Sequence, residues 1–232
     1  MKFKALVLFA ALLSLTACEK KEATPPAQAN QPATLETEGD RFSYGLGMII
    51  GERVLKQYGD VNYELLLDGI KAQHKEQETL LSLEEAGAAL NAYMEKEFTA
   101  KSETNKAKGE AYLQENANKE GVMVTESGLQ YRVITATDGA KPMATDQVTV
   151  HYRGTLIDGT EFDSSYGRGE PASFGLNQVI AGWSEGVQLM NVGSKFEFVI
   201  PQALGYGERG AGGSIGPFET LIFEVELIEI NS

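Results

Sequence analysis

The sequence predicts an α+β protein in which a helical N-terminal half precedes a β-rich C-terminal half. Two changes of pattern along the 232 residues carry this prediction. From residue 40 to about residue 98, apolar side chains recur every three to four residues, as on one face of a helix. From residue 122 onward, apolar and polar residues alternate, as in strands with one buried face. With 42% hydrophobic and 23% charged residues, the composition is that of an ordinary globular protein.

The first 17 residues predict an export signal. Lys2 and Lys4 precede an apolar run over residues 5–13, and small residues follow before the only cysteine, Cys18. The run is about half the ~20 residues that a membrane-spanning helix needs. Leu15-Thr16-Ala17-Cys18 resembles the bacterial lipobox, which implies cleavage before Cys18 and its lipidation; the alternative is an ordinary signal peptide and a soluble periplasmic protein. Glu19, next to Cys18, favours the periplasmic side of the outer membrane by the same resemblance.

Residues 18–38 predict a flexible tether, because they are polar, rich in Pro and Ala, and without periodicity. Three helices follow in residues 39–120. The first carries a stripe of Phe42, Leu46 and Ile49, and Asn62 is a candidate N-cap of the second. Ser82 begins the third helix, since Glu85 completes a capping-box pattern.

The third helix is predicted to run from Leu83 to about Asn116, since this stretch contains no proline and only two glycines, Gly87 and Gly109. Its first turns are apolar on one face, whereas residues 101–119 are mostly polar and predict an exposed stalk. Three such helices make a small core alone, so residues 39–120 are expected to dimerise with a second copy. Packing on the C-terminal half of the same chain is the alternative.

Residues 121–232 predict a β-rich domain. Strand patterns cover residues 129–133, 148–152, 195–200 and 221–230, and Asp158-Gly159 is a tight-turn signal between two of them. One short helix interrupts the strands, with Trp183, Val187 and Met190 on a single apolar face.

The composition argues against several classes of function. A net charge of −13 disfavours a nucleic-acid partner. His74 and His151 are the only histidines and lie far apart, so no metal site is expected. The glycines of residues 205–210 match a dinucleotide pattern, but the small residues after them predict a flexible loop instead of the helix that such a site needs. With its only cysteine predicted to be acylated and no G-x-S-x-G motif, the chain lacks the parts for nucleophilic hydrolysis, so a hydrolase is disfavoured. No cofactor is expected.

What remains is a set of aromatic and branched residues in five blocks. The blocks are Val150-His151-Tyr152-Arg153-Gly154-Thr155-Leu156, Asp158-Gly159-Thr160-Glu161-Phe162-Asp163-Ser164-Ser165, Gln178-Val179-Ile180-Ala181-Gly182-Trp183, Leu204-Gly205-Tyr206-Gly207 and Thr220-Leu221-Ile222-Phe223-Glu224-Val225-Glu226-Leu227. In this order they resemble the FKBP-type peptidyl-prolyl cis/trans isomerases. Phe42-Ser43-Tyr44-Gly45-Leu46-Gly47 and Asn116-Ala117-Asn118-Lys119-Glu120-Gly121 resemble the helical part of the Mip/FkpA subgroup.

The resemblance implies a bent antiparallel sheet wrapped over the short helix, with a proline-binding cleft between them. Trp183 would form the floor of this cleft, and Asp163 would be its main polar group. The walls of the cleft would be formed by Tyr152, Phe162, Val179, Ile180 and Phe223. The residues that overhang it would be Tyr206 and Ile215. The sequence departs from the family pattern at three positions. Ala172 stands where an aromatic is usual, and Phe174, two residues further on, is expected to bind substrate. The other departures are Gln178 and Phe218.

The function implied is acceleration of X-Pro isomerisation in exported proteins during folding, without covalent catalysis and together with chaperone activity. The partners would be unfolded or partly folded proline-containing polypeptides, a second copy of the chain, and a membrane through the lipid on Cys18. The alternative is a dimeric periplasmic chaperone that holds unfolded chains and has weak or no isomerase activity.

Overall fold

The computed structural model of the chain describes residues 34–231. Its contacts divide the chain into two units with the boundary between Asp60 and Val61. The predicted signal peptide, Cys18 and most of the predicted tether lie outside the described residues. Within residues 34–231, no helix combines the length and the apolar character needed to cross a membrane.

The first unit contains one long helix, α1 (Glu38–Arg53), and a short 3-10 turn (Leu55–Gln57). Thr37 caps α1, and its side chain exchanges hydrogen bonds with Asp40 in a capping box. The helix therefore begins two residues before the predicted start at Asp40. None of its residues is buried, and the Phe42 side chain is 72% exposed.

The second unit begins with α2 (Tyr63–His74) and α3 (Leu83–Asn116). Asn62 caps α2, and Ser82 with Glu85 forms the predicted capping box of α3. The predicted bounds of α3 are confirmed at both ends.

The prediction of an exposed stalk is wrong for one face of α3. Ser102, Gly109 and Asn116 are buried, and Asn105, Tyr112 and Leu113 are half-buried. The Asn116 side chain donates to Gln130 Oε1 at 2.9 Å, and Gln130 donates to the Leu113 carbonyl at 2.8 Å. The face escaped prediction because it is made of small and polar residues, which a hydrophobic pattern does not detect. The second half of α3 thus packs against the sheet of its own chain.

Seven antiparallel strands form one sheet. They are β1 (Val122–Val124), β2 (Gln130–Thr135), β3 (Gln147–Leu156), β4 (Glu161–Ser164), β5 (Ala172–Gly175), β6 (Lys195–Ile200) and β7 (Leu221–Asn231). The spatial order is β1-β2-β6-β7-β3-β4, and β5 continues along the same edge of β3 as β4. The predicted tight turn joins β3 to β4, with Gly159 at φ +88°.

Two short helices lie among the strands: α4 (Ser165–Arg168), which follows β4, and α5 (Ala181–Gly186). A 3-10 turn (Val187–Leu189) extends α5, and Trp183, Val187 and Met190 are buried as predicted. Gly182 and Gly186 let α5 approach β6 closely. A Cβ at Gly182 would lie 2.5 Å from Ile200 Cγ2, and one at Gly186 would lie 2.7 Å from Phe198 Cε1. The main core fills the space between α5 and the sheet.

The combination of N-terminal helices and a C-terminal antiparallel sheet over a short helix confirms the predicted α+β fold class. The predicted domain boundaries at residues 38 and 120 stay predictions.

Candidate functional site

A cavity of about 440 Å³ lies between α5, the sheet and the loops before β7. Its size is within the usual range for sites that take a small molecule or a short peptide segment. Fourteen residues line it: Tyr152, Phe162, Asp163, Phe174, Gln178, Val179, Ile180, Trp183, Tyr206, Ala211, Gly212, Ser214, Ile215 and Phe223.

Trp183 lines the cavity from α5 and is surrounded by aromatic rings. Three aromatic rings meet the indole nearly at right angles, with centroid distances of 5.2 Å to Tyr152, 5.3 Å to Phe223 and 5.6 Å to Phe174. Edge-to-face contacts of this kind favour a fixed ring arrangement. The indole is buried, and its Nε1 has no hydrogen-bond partner among the described residues. The three ring contacts therefore fix the orientation of the indole.

Phe162 of β4 and Phe223 of β7 form a wall, with their rings 5.4 Å apart and nearly perpendicular. They meet across Gly154 of β3, which pairs in register with both Asp163 and Phe223. A Cβ at Gly154 would lie 2.6 Å from Phe162 and 2.8 Å from Phe223. Only glycine leaves room for the two rings, which explains a glycine in the middle of a strand.

Two residues of the connection between β6 and β7 also line the cavity. Tyr206 is 40% exposed, whereas Ile215 is buried. Ala211 and Ile215 exchange backbone hydrogen bonds of 2.9 and 3.0 Å, so residues 211–215 form a closed turn. The flexibility of the glycine-rich segment stays a prediction. The segment opens no helix, as the sequence indicated.

The polar edge of the cavity is a cluster of Tyr152, Asp163 and Arg168. The Tyr152 hydroxyl and Arg168 Nη1 both donate to the Asp163 carboxylate, and Arg168 Nη2 donates to the Tyr152 hydroxyl at 2.9 Å. Each member thus contacts the other two. Ser165 is buried behind the cluster and accepts a hydrogen bond from the Tyr152 backbone N–H at 2.8 Å.

This cluster shifts the pKa values of its members. Burial raises the pKa of Asp163, but the hydrogen bonds from Tyr152 and Arg168 outweigh it, so the pKa lies below its ordinary value. Burial and the hydrogen bond to Asp163 raise the pKa of Tyr152. Burial also raises the pKa of Tyr206, with the charge of Asp163 adding to the effect. At neutral pH the cavity therefore has one carboxylate and two neutral phenols.

All ten residues predicted to form the cleft line this one cavity: Tyr152, Phe162, Asp163, Phe174, Val179, Ile180, Trp183, Tyr206, Ile215 and Phe223. Their individual roles stay predictions. Of the departures from the family pattern, Gln178 and Phe174 line the cavity, whereas Ala172 and Phe218 do not.

Sequence reasoning missed Arg168, which holds Asp163 and Tyr152 in place. It lies in α4, between the second and third sequence blocks. The only sequence signal for it was its position five residues after Asp163. The turn residues Ala211, Gly212 and Ser214 were also missed as lining residues. Their small side chains carry no chemical signature that would mark them.

The arrangement suits noncovalent recognition of an apolar group. Among the residues that line it, only Asp163, Tyr152 and Tyr206 are ionisable, and none is a histidine, cysteine or lysine. Within residues 34–231, no cluster of three or more His, Cys, Asp or Glu residues could hold a metal ion. Chemistry at this site would therefore act through shape, exclusion of water and fixed dipoles.

Comparison with known families gives two matches. Residues 139–228 match the model of the FKBP-type peptidyl-prolyl cis-trans isomerase. Residues 39–133 match the model of the domain amino terminal to FKBP-type peptidyl-prolyl isomerase. Together they cover most of the described chain.

Individual relatives extend over nearly the same length. The FKBP-type 22 kDa peptidyl-prolyl cis-trans isomerase of Escherichia coli is 48% identical over 202 residues, which are 85% of this chain and 98% of that protein. Outer membrane protein MIP of Legionella longbeachae is 43% identical over 209 residues, 87% and 90% of the two chains.

A solved structure shows the same fold. The crystal structure of FkpA from Escherichia coli matches with a TM-score of 0.62 and 34% identity, covering 85% of this chain and 99% of that one. Family models, relatives and structure agree, and the chain belongs to the FKBP-type peptidyl-prolyl cis/trans isomerases, as its five sequence blocks indicated.

Proposed function

We propose that the Trp183 cavity is where this isomerase accelerates rotation about X-Pro bonds, with the proline ring on the indole. The observation that supports this most strongly is the aromatic enclosure, which has a single polar edge at Asp163, Tyr152 and Arg168. An apolar ring fits the floor and walls, while the flanking peptide groups face the polar edge.

Isomerisation requires the amide to lose its resonance, with an uncatalysed barrier of roughly 18–20 kcal/mol. For turnover of ~100 s⁻¹ against ~0.01 s⁻¹ in water, the site must supply about 5–6 kcal/mol. The twisted amide is less polar and less tightly hydrated than the planar one. A dry aromatic cavity therefore favours the transition state over the ground state, without any covalent step.

In this proposal, Asp163 provides a fixed negative charge and orients the Tyr152 hydroxyl at the mouth of the cavity. Phe162, Phe223, Val179, Ile180 and Phe174 exclude water from the bound proline. Tyr206 and Ile215 cover it from above.

The test is an Asp163→Ala variant, with Glu161→Ala as the matched control. Both changes remove a carboxylate from β4, but Glu161 pairs with Arg153 and does not line the cavity. We expect Asp163→Ala to lower kcat/KM on a short X-Pro peptide about tenfold while the urea midpoint moves little, because its ion pair is about 45% exposed. Unchanged kcat/KM in Asp163→Ala would refute the role of this carboxylate.

We also propose that the protein is a homodimer through its N-terminal helices. Neither α1 nor α2 has a buried residue, and their exposed apolar side chains include Phe42, Ile49 and Leu65. The first half of α3 adds Leu90 and Phe98 to the exposed apolar surface. Apolar surfaces of this extent are typical of protein interfaces.

Sedimentation equilibrium tests the dimer. Phe42→Glu places a charge on the apolar face and is expected to yield monomers, whereas Arg41→Glu, at an exposed neighbouring position, leaves the mass of a dimer. A monomeric wild type would contradict the proposal.

We further propose chaperone activity, because apolar residues are also exposed between α2 and α3. Leu80 is 94% exposed and Leu81 51% exposed. A light-scattering assay with an aggregating client should show suppression that persists in Asp163→Ala. If the wild type suppresses aggregation but does not accelerate isomerisation, the protein acts mainly as a chaperone that binds unfolded chains.

Finally, we propose export and lipidation at Cys18, which would anchor the protein at the periplasmic side of the outer membrane. The residues that support this are Lys2, Lys4, the apolar run and Leu15-Thr16-Ala17-Cys18. Metabolic labelling with a radioactive fatty acid should label the wild type and not Cys18→Ser. An unlabelled, cleaved wild type would instead indicate a soluble periplasmic protein.

A further inference from the structure

One face of α3 contacts the loop segment that leads out of the cavity. Residues 216–220, called the connector below, join the Ala211–Ile215 turn to β7. A Cβ at Gly109 of α3 would lie 2.5 Å from Thr220 Oγ1, and one at Gly216 of the connector would lie 2.7 Å from Lys101 Cε. The helix and the connector are therefore packed as closely as their glycines allow.

Asn105 makes the polar contacts between α3 and the connector. Its Nδ2 donates to the Pro217 carbonyl oxygen at 2.8 Å and to Glu219 Oε1 at 2.9 Å. Both hydrogens of the amide are thus used, on two acceptors 112 and 114 residues further along the chain. The next residue, Lys106, places Nζ 3.8 Å from the centre of the Phe218 ring, a cation–π contact.

Phe218 has an unusual backbone conformation. Its φ of +55° lies in the left-handed region, which is costly for a bulky residue and persists only where its surroundings hold it. On one side, Lys106 covers its ring, and Asn105 binds the preceding carbonyl. On the other, its N–H donates to the Gly207 carbonyl at 2.8 Å.

That last hydrogen bond links the connector to the cavity. Gly207 follows Tyr206 directly, and the connector itself follows Ile215. Both overhanging residues are thus attached, within one or two residues, to a segment whose other side contacts α3.

We propose that Asn105 and Lys106 are positioning residues for isomerisation: by holding Phe218, they fix Tyr206 and Ile215 over the bound proline. This inference rests on the proposed cavity as the site of reaction. Neither residue lines the cavity, so their effect on catalysis passes through the connector.

The sharpest test is Asn105→Asp in the full chain. The change keeps the size of the side chain but replaces the donating amide with a carboxylate, facing the Pro217 carbonyl and Glu219. Thr104→Ala is the matched control, since Thr104 is exposed on the same helix. We expect kcat/KM for a short X-Pro peptide to fall about three- to tenfold in Asn105→Asp, the scale of one or two lost hydrogen bonds, and to stay unchanged in Thr104→Ala.

Two further variants separate positioning from general destabilisation. Glu219→Gln supplies a donor to the new carboxylate, so the double variant should recover most of the lost kcat/KM. Lys106→Met removes the cation from the Phe218 ring and should lower kcat/KM in the same direction. Fluorescence of Trp183, the only tryptophan, and the urea midpoint should show an intact fold throughout.

A folded Asn105→Asp variant with the kcat/KM of the wild type would overturn the inference. The inference would also fail if the Asn105→Asp/Glu219→Gln double variant recovered none of the lost kcat/KM. Asp163→Ala in the same assay keeps the two proposals apart. If Asp163→Ala is impaired and Asn105→Asp is not, the cavity stands and the coupling to α3 falls. If Asp163→Ala retains full activity and Asn105→Asp does not, the role proposed for the Asp163 carboxylate is wrong and the coupling to α3 is supported.

Discussion

Gly154 of β3 offers the most direct test of the cavity wall, because adding a single methyl group there disturbs two of its rings. The Cβ of Gly154→Ala would lie 2.6 and 2.7 Å from two carbons of the Phe162 ring and 2.8 Å from a carbon of the Phe223 ring. Ordinary contact begins at 3.4 Å, so the Phe162 ring must retreat by roughly 0.8 Å.

The size of the effect follows from the packing. Overfilling a close-packed site costs about 1–3 kcal/mol of the free energy of unfolding. Displacement of a substrate-contacting group by about 1 Å can lower activity up to ~100-fold. We therefore expect Gly154→Ala to lose about 1–3 kcal/mol in urea unfolding, and kcat/KM on an X-Pro peptide to fall about tenfold or more.

The control is Gly69→Ala in α2, where a Cβ meets nothing within 4 Å. That variant should be as active as the wild type and slightly more stable, by up to ~1 kcal/mol, because alanine favours the helix. Adding Phe162→Leu to Gly154→Ala removes part of the crowded ring and should restore stability but not activity. A Gly154→Ala protein with normal stability and activity would refute the account of the wall.

The remaining predictions concern the polar edge and α5. Arg168→Ala should lower kcat/KM several-fold in the peptide assay, because Asp163 and Tyr152 lose the donor that fixes them, while the urea midpoint should move little because the ion pair is exposed to solvent. The pKa of Asp163 is lower in the folded protein than in the unfolded chain, where it is about 4. The carboxylate therefore stabilises the fold at pH values above the unfolded-state pKa, and this contribution is lost as the pH falls through the folded-state pKa. The melting temperatures of the wild type and Asp163→Asn should converge at pH values below both pKa values. Gly182→Ala would place a Cβ 2.5 Å from Ile200 Cγ2 and should lower the free energy of unfolding, measured in urea, by about 1–3 kcal/mol. An unchanged free energy of unfolding would contradict the close approach of α5 to β6.

Local signals predicted the helices well. Capping boxes are short-range hydrogen-bond patterns, so Ser82 with Glu85 located the start of α3, and the absence of proline located its length. Thr37 with Asp40 is also a capping box, and attention to it would have placed the start of α1 correctly.

Most of the cavity was predictable, because nine of its fourteen lining residues lie in five ordered sequence blocks. The geometry that joins them was not. Arg168 meets Asp163 and Tyr152 only because β4 ends in the one-turn helix α4, and no periodicity predicts four residues of helix.

The docking of α3 escaped prediction for a different reason. Its contact face consists of Ser102, Asn105, Gly109 and Asn116, which a hydropathy pattern treats as solvent-exposed. Their burial depends on acceptors such as the Pro217 carbonyl, more than a hundred residues away. From the sequence alone, a polar helix face that is hydrogen-bonded to another part of the chain looks the same as one that faces water.

The place of β7 in the sheet sets when the enzyme can begin to work. This strand lies between β6 and β3, yet it comes later in the chain than every strand it joins. Phe223, which it supplies, packs directly on Trp183. During synthesis from the amino terminus, the cavity therefore stays incomplete until residues 221–231 arrive. In the proposed function, a chain without β7 has an incomplete site, so its own prolines must isomerise unaided or with help from molecules that have already folded.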